Sequence, residues 1–85
     1  MSDYQLRISD SVQKKLNRLS DLIALKLIHA MQLLAVNPRP VGCKKLKGQN
    51  GYRIRVGGYR IIYLIKDHEL LILILDVGHR KYTYK

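Results

Sequence analysis

Apolar and polar residues alternate strictly in "YQLRIS": Tyr4, Leu6 and Ile8 fall on one side, Gln5, Arg7 and Ser9 on the other. That is the period of a half-buried strand. After "SDS", which offers a helix cap, the period lengthens. In "VQKKLNRL", Val12, Leu16 and Leu19 form one helical stripe. Ser20 and Asp21 can cap a second helix through "LIALKLIHAMQLLAV", which must stop before Pro38 because proline cannot continue it and restricts Asn37. "NPRPVG" is a breaker-rich turn, and "CKKLKGQNG" reads as a basic loop with Leu46 tucked under it.

The strand period returns in "YRIRV", where Tyr52, Ile54 and Val56 alternate with Arg53 and Arg55. Gly57-Gly58 is a two-residue hairpin signal, followed by "YRIIYLI" and a polar turn at "KDHE". "LLILILDV" is apolar on both faces, which suits the middle of a covered sheet. The predicted order is β-α-α-β-β-β. The fold class is α+β: a small, antiparallel-rich four-stranded sheet with both N-terminal helices packed on one face. A single domain over residues 1–85 is expected, with no repeat or linker.

The second helix is more apolar than one core contact requires. Ile23, Leu27, Ala30, Met31 and Leu34 make a stripe, and Leu22, Leu25, Ile28 and Leu33 widen it beyond half the circumference. With one sheet to cover it, the surplus is expected to receive a partner.

Composition narrows the class. At 47% hydrophobic, the 85 residues can bury a core. The lone Cys43 excludes an intrachain disulfide and a thiolate metal cluster, which suits the cytoplasm. No basic-then-apolar leader opens the chain, and the longest apolar run, Leu70 to Leu75, is far below the ~20 residues that span a bilayer. No helix joins a basic face to an aromatic anchor, so a membrane partner is not expected.

Charge changes the picture more. Sixteen Lys plus Arg stand against six Asp plus Glu, a formal +10. Residues 39 to 60 hold Arg39, Lys44, Lys45, Lys47, Arg53, Arg55 and Arg60 with no acidic residue. Such a field draws polyanions. Nucleic acid is the first expected partner and an acidic protein the second.

Arg53 and Arg55 share a strand face about 7 Å apart, near the spacing of adjacent phosphates on extended RNA. Arg60 lies across the hairpin turn from them. At the far end, "VGHRKYTYK" brings Arg80 and Tyr84 to a polar terminus. Guanidinium groups bind phosphate oxygens in pairs and stay charged at all accessible pH. The bland alternative is that these arginines are the wet side of an ordinary amphipathic strand.

The order of elements, "LKG" then "YRIRVGGYRIIY", and a hydrophobic strand closing in "VGHRK", resembles the RelE/ParE superfamily of toxin–antitoxin toxins over essentially the whole chain. The resemblance implies, on the RelE branch, a ribosome-dependent endoribonuclease acting on mRNA, and on the ParE branch a gyrase inhibitor without nuclease activity. For the nuclease it implies catalytic roles at Arg53, Arg55, Arg60, Arg80 and Tyr84, with Tyr82 as the alternative phenol. It also implies an acidic antitoxin protein as partner, and the wide apolar face of residues 22 to 34, with Leu22, Leu25 and Leu33, is expected to receive it.

On that reading the 2′-OH attacks its own phosphate, leaving a 2′,3′-cyclic phosphate and a 5′-OH, with no metal and no cofactor. Arg53, Arg55 and Arg60 grip the phosphate. Tyr84, its pKa of about 10 lowered by the cations, takes the 2′ proton, and Arg80 steadies the leaving oxygen. Lys44, Lys45 and Lys47 steer RNA and ribosome by charge. His29, His68 and His79 lie in unrelated elements, and the carboxylates are scattered. His79 is a secondary candidate, which alternation turns away from Arg80 with Val77 and Leu75. The third reading is a plain basic nucleic-acid-binding module.

Overall fold

The computed structural model describes residues 3–46 and 51–79. Strand β1 (Gln5–Ile8) leads into helix α1 (Asp10–Asn17) and helix α2 (Asp21–Val36). Strands β2 (Lys44–Lys45), β3 (Gly51–Val56), β4 (Tyr59–Lys66) and β5 (Leu71–His79) follow. Both helices begin where a serine can cap them. Ser9 Oγ accepts from the Val12 amide and Ser20 Oγ from the Ile23 amide, each at 3.4 Å. Asp10 and Asp21 place negative charge in the first turns, where the helix dipole favours it. Helix α2 ends at Val36, two residues short of Pro38, as the proline requires.

The strands form one five-stranded sheet in the order β1-β5-β4-β3-β2. Three of its contacts are antiparallel, and β1 runs parallel to β5. The predicted class therefore holds, with one strand more than the four expected. The addition is β2, two residues of the basic loop that pair Lys44 with Arg53 and Lys45 with Tyr52. Leu46 is tucked in as expected: its Cδ1 lies 3.4 Å from where a β-carbon on Gly51 would stand.

The hairpin between β3 and β4 closes in two residues, pairing Val56 with Tyr59. Gly57 takes the positive φ (61°) at the first turn position, the pattern of a type II′ turn. The core lies between the helices and one sheet face. Val12, Leu16, Leu27, Met31 and Leu34 meet Ile61, Tyr63, Ile65, Ile72, Ile74 and Val77, all buried. Tyr52, Ile54, Val56 and Tyr59 pack against this cluster, so the even positions of β3 and the odd positions of β4 face the helices.

The middle position expected for the apolar run "LLILILDV" holds, as does the packing of both helices on one face. Strand β5 is interior, between β1 and β4, and both helices lie on the same side of it. Its other face carries half-buried Leu71 and Leu73. Strand β5 also breaks step once. Ile62 pairs with Asp76 and Tyr63 with Ile74, leaving Leu75 as the extra residue of a bulge, 36% exposed.

Two polar ties hold the loops to this frame. Tyr63 Oη donates to the Pro38 carbonyl at 2.8 Å while its ring stacks on Tyr52 at 5.9 Å. Burial pushes the Tyr63 phenol well above its ordinary pKa, so it stays a donor. Tyr63→Phe keeps the packing and deletes this bond, and should lower unfolding stability by about 0.5–1.5 kcal/mol in a denaturant titration.

The second tie is Asp67, which accepts from Tyr4 Oη at 2.5 Å and from Arg39 Nη2 at 3.0 Å. The Arg39 hydrogen bond, then that of Tyr4, holds the Asp67 carboxyl below its usual range. A depressed carboxylate stabilises fully above its unfolded pKa of about 3.9 and loses that contribution as pH falls through the folded value. Acid unfolding of Asp67→Asn should therefore show less loss of stability below about pH 4 than the parent, read by melting temperature across pH. Arg39 is thus committed to Asp67 and to the Tyr52 ring, 5.2 Å from its guanidinium carbon, and does not join the other basic residues of its segment.

Candidate nucleic-acid interface

Because Ile54 and Val56 turn to the helices, Arg53 and Arg55 project from the opposite, helix-free face of the sheet. Arg60 does the same on β4, alternating with buried Ile61. The register brings them into rows. Arg55 is the direct cross-strand partner of Arg60, and Arg53 is that of Lys44. Paired positions in antiparallel strands have β-carbons about 4.5–5.5 Å apart, where like charges destabilise the sheet. Two such pairs side by side concentrate positive charge on one face, an arrangement suited to holding a polyanion.

Arg60 is only partly exposed, and its Nε is shielded from solvent. A guanidinium held this way loses less freedom on binding than one on a loose surface chain. Among the described residues the two ion pairs lie away from the rows: Lys15 binds Asp76, and Arg39 binds Asp67.

The expected site residues separate as follows. Arg53, Arg55, Arg60 and Lys44 share the open face. Lys45, opposite Tyr52, belongs to the other face. His79 pairs with Tyr59 and meets its ring edge-on at 5.5 Å, on the helix side with Val77. The expected companionship with Leu75 fails because the bulge shifts the alternation. Lys47, Arg80, Tyr82 and Tyr84 lie outside the described residues. Sequence reading gave Lys44 only a steering role; its register opposite Arg53 puts it in the same rows, a placement visible once β2 is paired.

Among the described residues, no three His, Cys, Asp or Glu side chains gather as metal ligands. No helix among them is long and apolar enough to cross a membrane.

A second surface adjoins the first. On α2, Leu22 (70%), Leu25 (64%), Leu33 (54%) and Val36 (63%) are exposed. With exposed His29 they fall on one stripe of the helix, at successive spacings of three and four residues. Ile28, counted with the surplus, packs against the core instead. The stripe leads into an open groove of about 770 Å³, lined by Leu33, Val36, Ile54, Lys44, Arg53 and Arg55. Strand β2 covers β3 only at Tyr52 and Arg53, so the β3 edge from 54 to 56 has no strand partner among the described residues.

The molecule is thus a small α+β fold with opposed cations on a helix-free sheet face and an exposed apolar stripe beside it. Comparison with known proteins places it more closely. Residues 6–84 match the family described as the ParE toxin of the type II toxin–antitoxin system parDE. A chain of Methanocaldococcus jannaschii named as a RelE1 toxin is 29% identical over 86 residues, covering 96% of each chain. The archaeal RelE–RelB complex from Pyrococcus horikoshii superimposes with a TM-score of 0.84 at 28% identity, over 94% of this chain and 98% of that one. The toxin–antitoxin complex RelBE2 from Mycobacterium tuberculosis gives 0.80 at 26% identity, over 92% and 99%. The chain belongs to this ParE toxin family, and it is a RelE-like toxin of a type II toxin–antitoxin system.

Proposed function

We propose that the chain is a ribosome-dependent mRNA endoribonuclease that cleaves by attack of the 2′-OH on the adjacent phosphate and so inhibits translation. The observation that carries this is the pair of like-charge rows, Arg55–Arg60 and Lys44–Arg53, on one sheet face. The rows hold the scissile phosphate and its neighbour and stabilise charge as the phosphorane forms. The rest of the chemistry falls to residues that follow β5 in sequence. Tyr84, or Tyr82, as its phenolate accepts the 2′ proton, Arg80 steadies the leaving 5′-oxygen, and water gives that oxygen its proton. An arginine is too weak an acid to donate that proton readily, its pKa exceeding about 12. This set is slow on free RNA, and the ribosome supplies the bent, in-line geometry.

The toxin is restrained by an acidic antitoxin protein. RelE structures solved with RelB antitoxins support such a partner. The α2 stripe with Leu22, Leu25 and Leu33 receives an amphipathic antitoxin helix. The adjoining groove, whose wall includes Arg53 and Arg55, gives its acidic residues their counter-charges.

Primer extension on cellular mRNA after induction tests the activity, with Arg80→Ala as control. Cuts within translated codons that vanish in the variant are the expected result. Supercoiling defects without cuts favour instead a gyrase inhibitor of the ParE kind. Neither effect, with RNA binding retained, leaves a plain basic module.

A further inference from the structure

Two features meet on the open face of the sheet: the opposed cation pairs, and Gly78, the cross-strand partner of Arg60 on β5. Residues 71 to 77 of that strand are leucine, isoleucine and valine apart from Asp76. A glycine inside a strand is destabilising by about 0.5–1 kcal/mol relative to alanine. The backbone does not call for it here, since positive φ among the described glycines occurs at Gly42 and Gly57. A strand glycine marks a bulge, a tight bend or a close approach of a ligand or another chain to the main chain; the bulge here is at Leu75, three residues before Gly78, which stands in regular register with Arg60.

The bulge decides which residue stands there. Ile72 and Ile74 face the helices, so unbroken alternation would turn Gly78 to the helix side as well. The extra Leu75 reverses the phase: Val77 and His79 take the helix side, and Gly78 joins Arg55 and Arg60 in one row. His79, against Tyr59, holds the end of the strand in that phase.

We propose that the sugar–phosphate backbone of bound RNA crosses the sheet at Gly78, resting on its main chain beside Arg60 and Arg55. This rests on the nuclease reading and adds a binding position to it. A side chain at 78 would begin about 1.5 Å above the α-carbon. Misplacement of a reacting group by about 1 Å lowers rate by about 10²-fold.

The test uses the full chain carrying Gly78→Val, with Gly78→Ala as the milder change. Cleavage on programmed ribosomes and binding of a fluorescein-labelled oligoribonucleotide are both measured. The expected result is a folded protein with cleavage down by about 10²-fold for valine, less for alanine, and weaker oligonucleotide binding. Folded variants that cleave and bind like the parent overturn the proposal. So does an effect that disappears in an Arg60→Ala background, because the glycine would then serve only to seat Arg60. If the parent itself does not cut, weaker binding by the variants still supports the RNA path and only the nuclease reading fails.

Discussion

Replacing Arg55 and Arg60 together by alanine is expected to lower mRNA cleavage by at least 10²–10³-fold, about the loss seen when one preorganised transition-state donor is removed. The two side chains are direct cross-strand partners on the open face, so the double variant empties one whole row. Stability should move little by comparison, since the two side chains lie at the sheet surface and surface changes are usually within about 0.5 kcal/mol. A folded but inactive protein is the signature of charges placed for a ligand. The Arg→Lys versions keep charge but lose the paired hydrogen bonds of guanidinium, and should recover only part of the rate. An ordinary solvated strand would show neither the loss of rate nor the graded recovery.

The second large effect concerns restraint by the antitoxin. Leu25→Asp and Leu33→Asp should each weaken the antitoxin complex by about 10²-fold or more, because a carboxylate in an apolar helix seam is desolvated without a partner. Both residues are well exposed in the free chain, so the fold should tolerate the change. Co-expression is the simplest readout: growth should stop despite the antitoxin, while the parent chain is neutralised. Titration by calorimetry gives the affinity directly. Undiminished neutralisation would move the antitoxin to another surface.

Local signals carried most of the fold. Ser9 and Ser20 stand where the helices start, Gly57-Gly58 makes the hairpin, and the excess leucines of α2 are exposed as their number demanded. The shared face of Arg53 and Arg55 followed from strand period alone, and Arg60 from the length of the turn. What escaped reading depends on contacts between distant segments. Strand β2 is two residues long and exists only by pairing with β3. The bulge lies in "LLILILDV", where uniform aliphatic residues carry no phase, so nothing marked Leu75 as the extra one. Arg39 looked like part of the basic segment until Asp67, 28 positions later, claimed it. The parallel pairing of β1 with β5 likewise joins the two ends of the chain.

The central claim is that opposed cations on one sheet face act on a phosphodiester of mRNA. Purified chain should be added to ribosomes holding a defined codon in the A site, and the RNA ends analysed by mass spectrometry. A cut within that codon leaving a 2′,3′-cyclic phosphate and a 5′-OH, absent with Arg55→Ala/Arg60→Ala, is the result expected. Intact mRNA under the same conditions, with the chain folded and bound by its antitoxin, would contradict it.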